Sequence, residues 1–419
     1  VAVLAPAVDA SDPHAPAASP RAWASLALLF VVYALNYLDR TLIYILFQPI
    51  KAELALTDLQ LALLGSTSFV LFYTLLGVPF GRLADRVSRR KMIAAGLAIW
   101  SAASGLTGLM TSFEGLFLCR VLVGVGEATL APAALSLLAD LFPARLRATA
   151  GALYSAGIPL GAGLALWLGG GLGASVGWRQ AFLLLGFPGV ALSAAVWLLP
   201  EPTRAAALST HRSTTSFGAV LRRPAWALQV AGYAAFAVAT NATSMWLPGL
   251  LGARFGLGLA DVGAWMGACA VGGGLLGTAL GGVIADGWQR RTLAGRVWFG
   301  AVASTLAGGA WAVVLTTGWF PAAIGAVFAL MALGLAWLGP AAADVQDLAG
   351  AEHRGLAIGA YLFVVNAVGH GLGPPAIGWL NDRTGAGSDP ALLATSLWLA
   401  PACCIAATLA LVAAGRYRR

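Results

Sequence analysis

Gly81-Arg82-Leu83-Ala84-Asp85-Arg86-Val87-Ser88-Arg89-Arg90-Lys91 separates two apolar runs. Most of its pattern returns between two later runs as Gly282-Val283-Ile284-Ala285-Asp286-Gly287-Trp288-Gln289-Arg290-Arg291. Gly, Ala, Asp and both Arg align at one constant spacing of 201 residues. A second match sets Gly126 and Pro132-Ala133-Ala134 against Gly334 and Pro340-Ala341-Ala342, 208 residues further on. Two matches at equivalent places in two series of apolar runs indicate a duplicated chain.

Of the 419 residues, 59% are hydrophobic and 10% charged, against roughly 25% charged in a soluble domain. Mean hydropathy is +0.82. So little polar surface cannot cover a water-soluble globule, and lipid must be the outer solvent. The 53 glycines fit, since small residues let membrane helices approach closely. Apolar runs long enough to cross a bilayer, about 20 residues each, fall near 23–47, 59–84, 91–111, 115–141, 147–172, 179–199, 225–252, 260–285, 296–317, 320–347, 355–381 and 389–414. The expected fold is an all-α membrane protein: twelve transmembrane helices in two pseudo-symmetric six-helix bundles, 23–199 and 225–414. Residues 200–224 form the linker, 415–419 a basic tail, and 1–22 a disordered tail rather than a signal peptide.

Charge gives the orientation. With the N-terminus inside, the inner segments hold nineteen Lys and Arg and the outer ones four, which places both termini in the cytoplasm. The net charge of +8 therefore reads as topology, not as a nucleic-acid surface. Cys119, Cys269, Cys403 and Cys404 lie in apolar runs without metal-ligand spacing, so no metal site is expected. Gly169-Gly170-Gly171, Gly272-Gly273-Gly274 and Gly281-Gly282 lie inside spans, where they suit close packing rather than phosphate binding. A nucleophile elbow is missing too, which points away from an enzyme.

Asn36-Tyr37-Leu38-Asp39-Arg40 puts two opposite charges inside the first span. Such charges are costly unless paired or hydrated, and mark function by default. The fourth span supplies Arg120 and Glu127, seven residues apart and so on one helix face. Counting from the outer ends, Asp39, Arg40 and Arg120 lie at similar depth and Glu127 nearer the midplane. Two acids and two Arg in one polar cluster suit proton coupling, because a carboxylate's proton affinity rises on burial and falls beside Arg. Asp39 and Glu127 are the expected proton carriers; Arg40 and Arg120 would hold an anionic substrate group. Asp85, at a helix C-terminus where the dipole disfavours a carboxylate, needs a positive partner near Arg354, and Asp286 one near Arg147. Arg86 could extend this gate to Asp140.

The Gly81–Lys91 stretch and its echo resemble the signature of the major facilitator superfamily. Asn-Tyr-x-Asp-Arg at 36–40, the run from Arg120 through Gly124-Val125-Gly126-Glu127-Ala128 to Pro132, and Asp140 resemble the bacterial spinster branch, associated with lysolipid and sphingolipid transport. The resemblance implies a secondary transporter of the bacterial cytoplasmic membrane, acting as a monomer without a bound cofactor and with protons as the coupling ion. The C-terminal half has few intramembrane charges. It offers Tyr233, Asn241, Trp246 and Asn366, with Asn36 and Tyr37 in the other half, as substrate contacts, and His370 as a structural residue. The expected function is proton-coupled transport of an amphiphilic, lipid-like anion by alternating access; the alternative is symport of a small hydrophilic organic anion.

Overall fold

The computed structural model describes residues 18–84, 86–202, 221, 223–349, 353–386 and 392–418. Among the described residues, ten helices are long and apolar enough to cross a membrane: α1 Pro20–Ile45, α2 from Asp58, α4 Phe113–Leu141, α5 Arg145–Ser175, α6 Trp178–Trp197, α8 Leu259–Gln289, α9 Gly295–Thr316, α10 Phe320–Ala349, α11 Leu356–Thr384 and α12 Leu393–Arg416. Two further helices, α3 Arg89–Thr107 and α7 Pro224–Phe255, stand where the third and seventh spans are expected. Each is diluted by polar residues. Arg89-Arg90-Lys91 opens α3, and Thr240-Asn241-Ala242-Thr243-Ser244 interrupts α7.

Local chemistry sets the helix starts. Ser19 caps α1, accepting from the Ala22 amide, with Pro20 at the first position where no N–H is needed. Ser88 caps α3 and Ser112 caps α4 in the same way. Thr57 and Gln60 form a reciprocal capping box at the start of α2. Two spans are not regular: α2 contains a π-turn at Leu63–Thr67 and α11 another at Ala367–Leu372. Such turns insert a residue into the ladder and redirect the side chains around them. The two face each other across the halves, where the Thr67 hydroxyl donates to the Gly371 carbonyl at 3.0 Å.

Glycines decide how closely the halves approach. At the crossing of α5 and α8, a Cβ on Gly163 would meet the Gly267 carbonyl at 2.8 Å, and one on Gly267 the Gly163 carbonyl at 2.7 Å. Only bare backbone fits there. Leu71, Leu75, Leu118, Trp167 and Val283 stay exposed on the rim, as lipid-facing residues should.

The face carrying Arg89, Arg90, Arg290 and Arg296 is termed the basic face. On the other face the two halves close on each other through the start of α2 and the end of α11. On the basic face, the first turns of α5 pack on α1 and α4, and the end of α10 packs on α8, α9 and α11. Each keeps to its own half.

Candidate functional site

The charged residues of α1 and α4 do come together, in a pattern finer than their depth implies. Glu127, with a side chain 0% exposed, takes the Arg40 guanidinium on Oε2 at 2.7 Å and 3.1 Å. Its Oε1 has no partner among the described residues. Arg40 is caged by aromatic faces, with Phe69, Tyr37 and Tyr73 centred 4.4, 4.7 and 5.0 Å from its guanidinium carbon. Arg120 pairs with no carboxylate in this way. It donates to three backbone carbonyls: Asp39 at 3.2 Å, Arg40 at 3.3 Å and Leu64 at 3.3 Å. Arg120 is thereby a clamp that ties α1 and the π-turn of α2 to α4. Asp39 forms no ion pair with either Arg among the described residues and accepts from the Ser104 hydroxyl of α3 at 2.7 Å. Arg120, expected to hold an anionic substrate group, is instead taken up by backbone in this conformation. It lies on the stretch of α4 against the π-turn, where the Leu64 carbonyl accepts from the Ser68 hydroxyl at 2.9 Å as well as from Arg120.

Between the halves lies a cavity of about 450 Å³. Tyr37, Arg40, Thr41, Tyr44 and Tyr73 line it from the N-terminal half, and Asn241, Trp337, Tyr361, Asn366 and His370 are among those lining it from the other. Among the described residues, Arg40 is the one side chain of fixed charge on this wall. Asp39, Glu127, Arg120 and Asn36 sit behind it, each 1–2% exposed. Most of the remaining lining is apolar, including Ile158, Leu166, Leu330, Met331 and Leu335. Of the hydroxyls and amides on α7, Thr240 and Asn241 donate to the Ala237 carbonyl, so each keeps an acceptor for a ligand. His370 is carried by the π-turn of α11, and its Nδ1 has no partner among the described residues.

Besides Arg120 and Asn36, two further expected substrate contacts lie off this wall. Tyr233 is 0% exposed, stacked on Trp337 at 5.0 Å and edge-on to Tyr361 at 6.2 Å, a layer behind the wall. Trp246 lines a separate, mainly apolar chamber of about 430 Å³ nearer the other face, with Phe47 and Met245. One turn of helix separates a wall residue from a core residue, and apolar periodicity is equal for both. Phe69, Tyr73 and Ser104 were not singled out in the sequence. Phe69 and Tyr73 share a face at four-residue spacing, a signal shared with ordinary core packing.

The gate residues also differ from expectation. Asp140 pairs with Arg89 at 2.5 Å, not with Arg86; Arg89 also binds Glu201 at 3.1 Å and the Ser136 carbonyl and hydroxyl. Asp286 pairs with Arg296 at 2.8 Å, and Arg296 also holds Asp347 at 2.7 Å. Arg147 donates to the Phe142 carbonyl. Short reach decides: each carboxylate has an Arg at the start of a neighbouring helix in its own half. Arg296 follows Arg89 by 207 residues, and Asp347 follows Asp140 by the same 207, so the duplication extends to these pairs. Asp85 lies outside the described residues, as does the Arg354 side chain.

The Major Facilitator Superfamily pattern matches residues 29–374. The chain belongs to that superfamily. This facilitator is 31% identical over 389 residues to an MFS-type efflux pump of Mycolicibacterium smegmatis, covering 89% of this chain and 87% of that one. It is 28% identical over 235 residues to protein spinster of Drosophila melanogaster, covering 55% of this chain and 39% of that longer relative. Its fold matches the crystal structure of a bacterial homologue of the human lysosomal transporter spinster, in an inward-facing and unoccupied conformation, with a TM-score of 0.79, 25% identity and 96% of each chain covered. It is a spinster-like membrane transporter, not an enzyme.

Proposed function

We propose that this transporter carries an amphiphilic, lipid-like anion together with protons, by alternating access, with its basic face in the cytoplasm. The observation that carries the reading is the placement of Arg40. It is the cavity's one fixed charge among the described residues, and Glu127 holds it from behind. An anionic head group that enters must compete with Glu127 for the guanidinium. Once the anion takes Arg40, Glu127 is left buried with neither oxygen neutralised, and a bare carboxylate in that setting takes up a proton. Loss of the proton restores the Arg40–Glu127 pair and expels the anion. One site thus binds either the anion with a proton, or neither. Asp39, satisfied by a neutral hydroxyl rather than by an Arg, is the second carboxylate able to change protonation without breaking an ion pair.

The rest of the cavity supports an amphiphile. A head group at Arg40 leaves a tail against Leu330, Met331 and Leu335, and apolar area of that kind contributes about 25 cal/mol per Å². A small hydrophilic acid would use the Arg40 side only. Nineteen basic residues on one side support a cytoplasmic basic face.

The test uses purified protein in proteoliposomes. Transport of alkyl phosphates or lysolipids is compared with that of sugar acids, each with and without a pH gradient. The expected result is amphiphile transport that follows the gradient. Indifference to pH, with full activity in Asp39→Asn and Glu127→Gln, overturns the coupling; equal transport of sugar acids overturns the amphiphile.

A further inference from the structure

The end of α11 reads Gly378-Trp379-Leu380-Asn381-Asp382-Arg383. Gly, Leu, Asp and Arg repeat the spacing of Gly81, Leu83, Asp85 and Arg86 after α2, but this copy lies on the opposite membrane face. Its contacts are explicit. The Asp382 carboxylate accepts from the Asp58 amide at 2.9 Å on one oxygen and from the Leu59 amide at 3.0 Å on the other. These are the first two N–H groups of α2, which have no partner within their own helix. The third, on Gln60, is taken by Thr57 Oγ1 at 3.1 Å. The start of α2 is therefore capped once from its own half and twice from the other. A carboxylate there also meets the positive end of the helix dipole.

Gly378 makes that reach geometrically available. A Cβ on it would meet the Asp58 carbonyl oxygen at 2.6 Å and the Leu59 Cα at 3.0 Å. Both are backbone and cannot rotate away. On the basic face, a Cβ on Gly81 or on Gly77 would meet nothing within 4 Å. One glycine face is closed on backbone, and its sequence counterpart stands open.

We propose that Gly378 and Asp382 are the positioning residues of a second latch, which holds the non-basic face shut while the basic face is open. Gly378 lets α11 touch the backbone of α2, and Asp382 caps the two amides that this contact presents. When the halves rock, the two amides and the carboxylate pass to water, so the latch opens without leaving a buried polar group behind. Asn381 next to it is fully buried, with neither amide atom partnered among the described residues; this opposes the closed form and keeps it releasable. The proposal rests on the alternating-access part of the proposed function and not on the substrate.

The test is a distance measurement by electron–electron resonance in nanodiscs, with no substrate present. Spin labels are placed at Ala52→Cys and Ala260→Cys, both exposed positions, one in each half, after replacement of the four native cysteines. Gly378→Ala is expected to move the distribution to the wide form. Asp382→Ala, an exposed substitution that leaves packing intact, is expected to raise the wide-to-narrow ratio about three- to tenfold. Asp382→Asn, which keeps one acceptor, falls between, and Gly81→Ala produces no widening. Distributions for Gly378→Ala and Asp382→Ala that superimpose on the wild type overturn the latch. If the substrate reading alone fails, these shifts still occur while amphiphile transport is absent; if the latch alone fails, transport follows the pH gradient while the distances stay fixed.

Discussion

Glu127→Gln should convert a pH-dependent anion site into a tighter, pH-independent one. Glu127 meets Arg40 at 2.7 Å and 3.1 Å, with side-chain exposures of 0% and 14%. Two unit charges about 4 Å apart attract by ~4 kcal/mol at an effective dielectric near 20. The exposure of Arg40 to the cavity and the retained hydrogen-bonding capacity of Gln reduce what the substitution removes to about 1.5–3 kcal/mol. An anion competing for Arg40 regains that amount, so its affinity should rise roughly 10- to 100-fold. The sign with pH follows from the same competition. In the wild type, protonation of Glu127 frees Arg40, so anion binding strengthens as pH falls; in the Gln variant there is nothing to titrate at this position. The assay is titration of an alkyl phosphate into purified protein at pH 6 and pH 8, read by calorimetry, with transport in proteoliposomes alongside. Binding should be tight at both pH values in the variant, and gradient-driven transport should be lost. An unchanged or weaker affinity with the wild-type pH dependence would refute the argument.

Arg89→Leu should destabilise the N-terminal half by about 3–5 kcal/mol, because it strands Asp140 and Glu201 beside a buried site; Arg86→Ala should leave the thermal unfolding midpoint in detergent unmoved. Gly267→Val should cost roughly 1–3 kcal/mol or more, since the added atoms meet the Gly163 carbonyl and the Trp167 Cβ and amide nitrogen, none of which can rotate away; the readout is again the unfolding midpoint. Tyr73→Leu removes one wall of the Arg40 cage, and should weaken the hold on the guanidinium by about 0.5–2 kcal/mol, visible as an altered anion affinity with unchanged stability. On the non-basic face, hydrogen bonds from the Trp178 indole and the Arg179 guanidinium hold the Glu53 carboxyl below its ordinary value of 4.5. Its small stabilising contribution is therefore present above that value and lost as pH falls through the lowered one, so wild type and Glu53→Gln should converge in thermal stability under acid conditions.

Much of this protein was legible as a sequence because its solvent is lipid. The hydrocarbon layer demands apolar runs of fixed minimum length and satisfied backbones, so helix number and class follow from composition and run length. A charge inside such a run is expensive wherever the helix packs, so Asp39, Arg40, Arg120 and Glu127 stood out before any contact was known. Duplication was legible for a similar reason, since Asp286 and Arg291 repeat Asp85 and Arg90 at one spacing. Pairing was not legible. Depth along a helix put Asp39, Arg40 and Arg120 at one level with Glu127 nearer the midplane, but rotation about each axis decided that Glu127 takes Arg40, that Asp39 turns to Ser104, and that Arg120 serves backbone carbonyls of α1 and of the π-turn in α2. The same freedom put Tyr233 behind the wall and His370 on it. Hydrophobic periodicity is blind to a π-turn, and a capping carboxylate 323 residues from the amide it serves leaves no local trace. The sequence by itself determined the solvent, the spans and which residues are costly; tertiary structure alone decided their partners, because partners are set by helix rotation and close approach, which no single helix encodes.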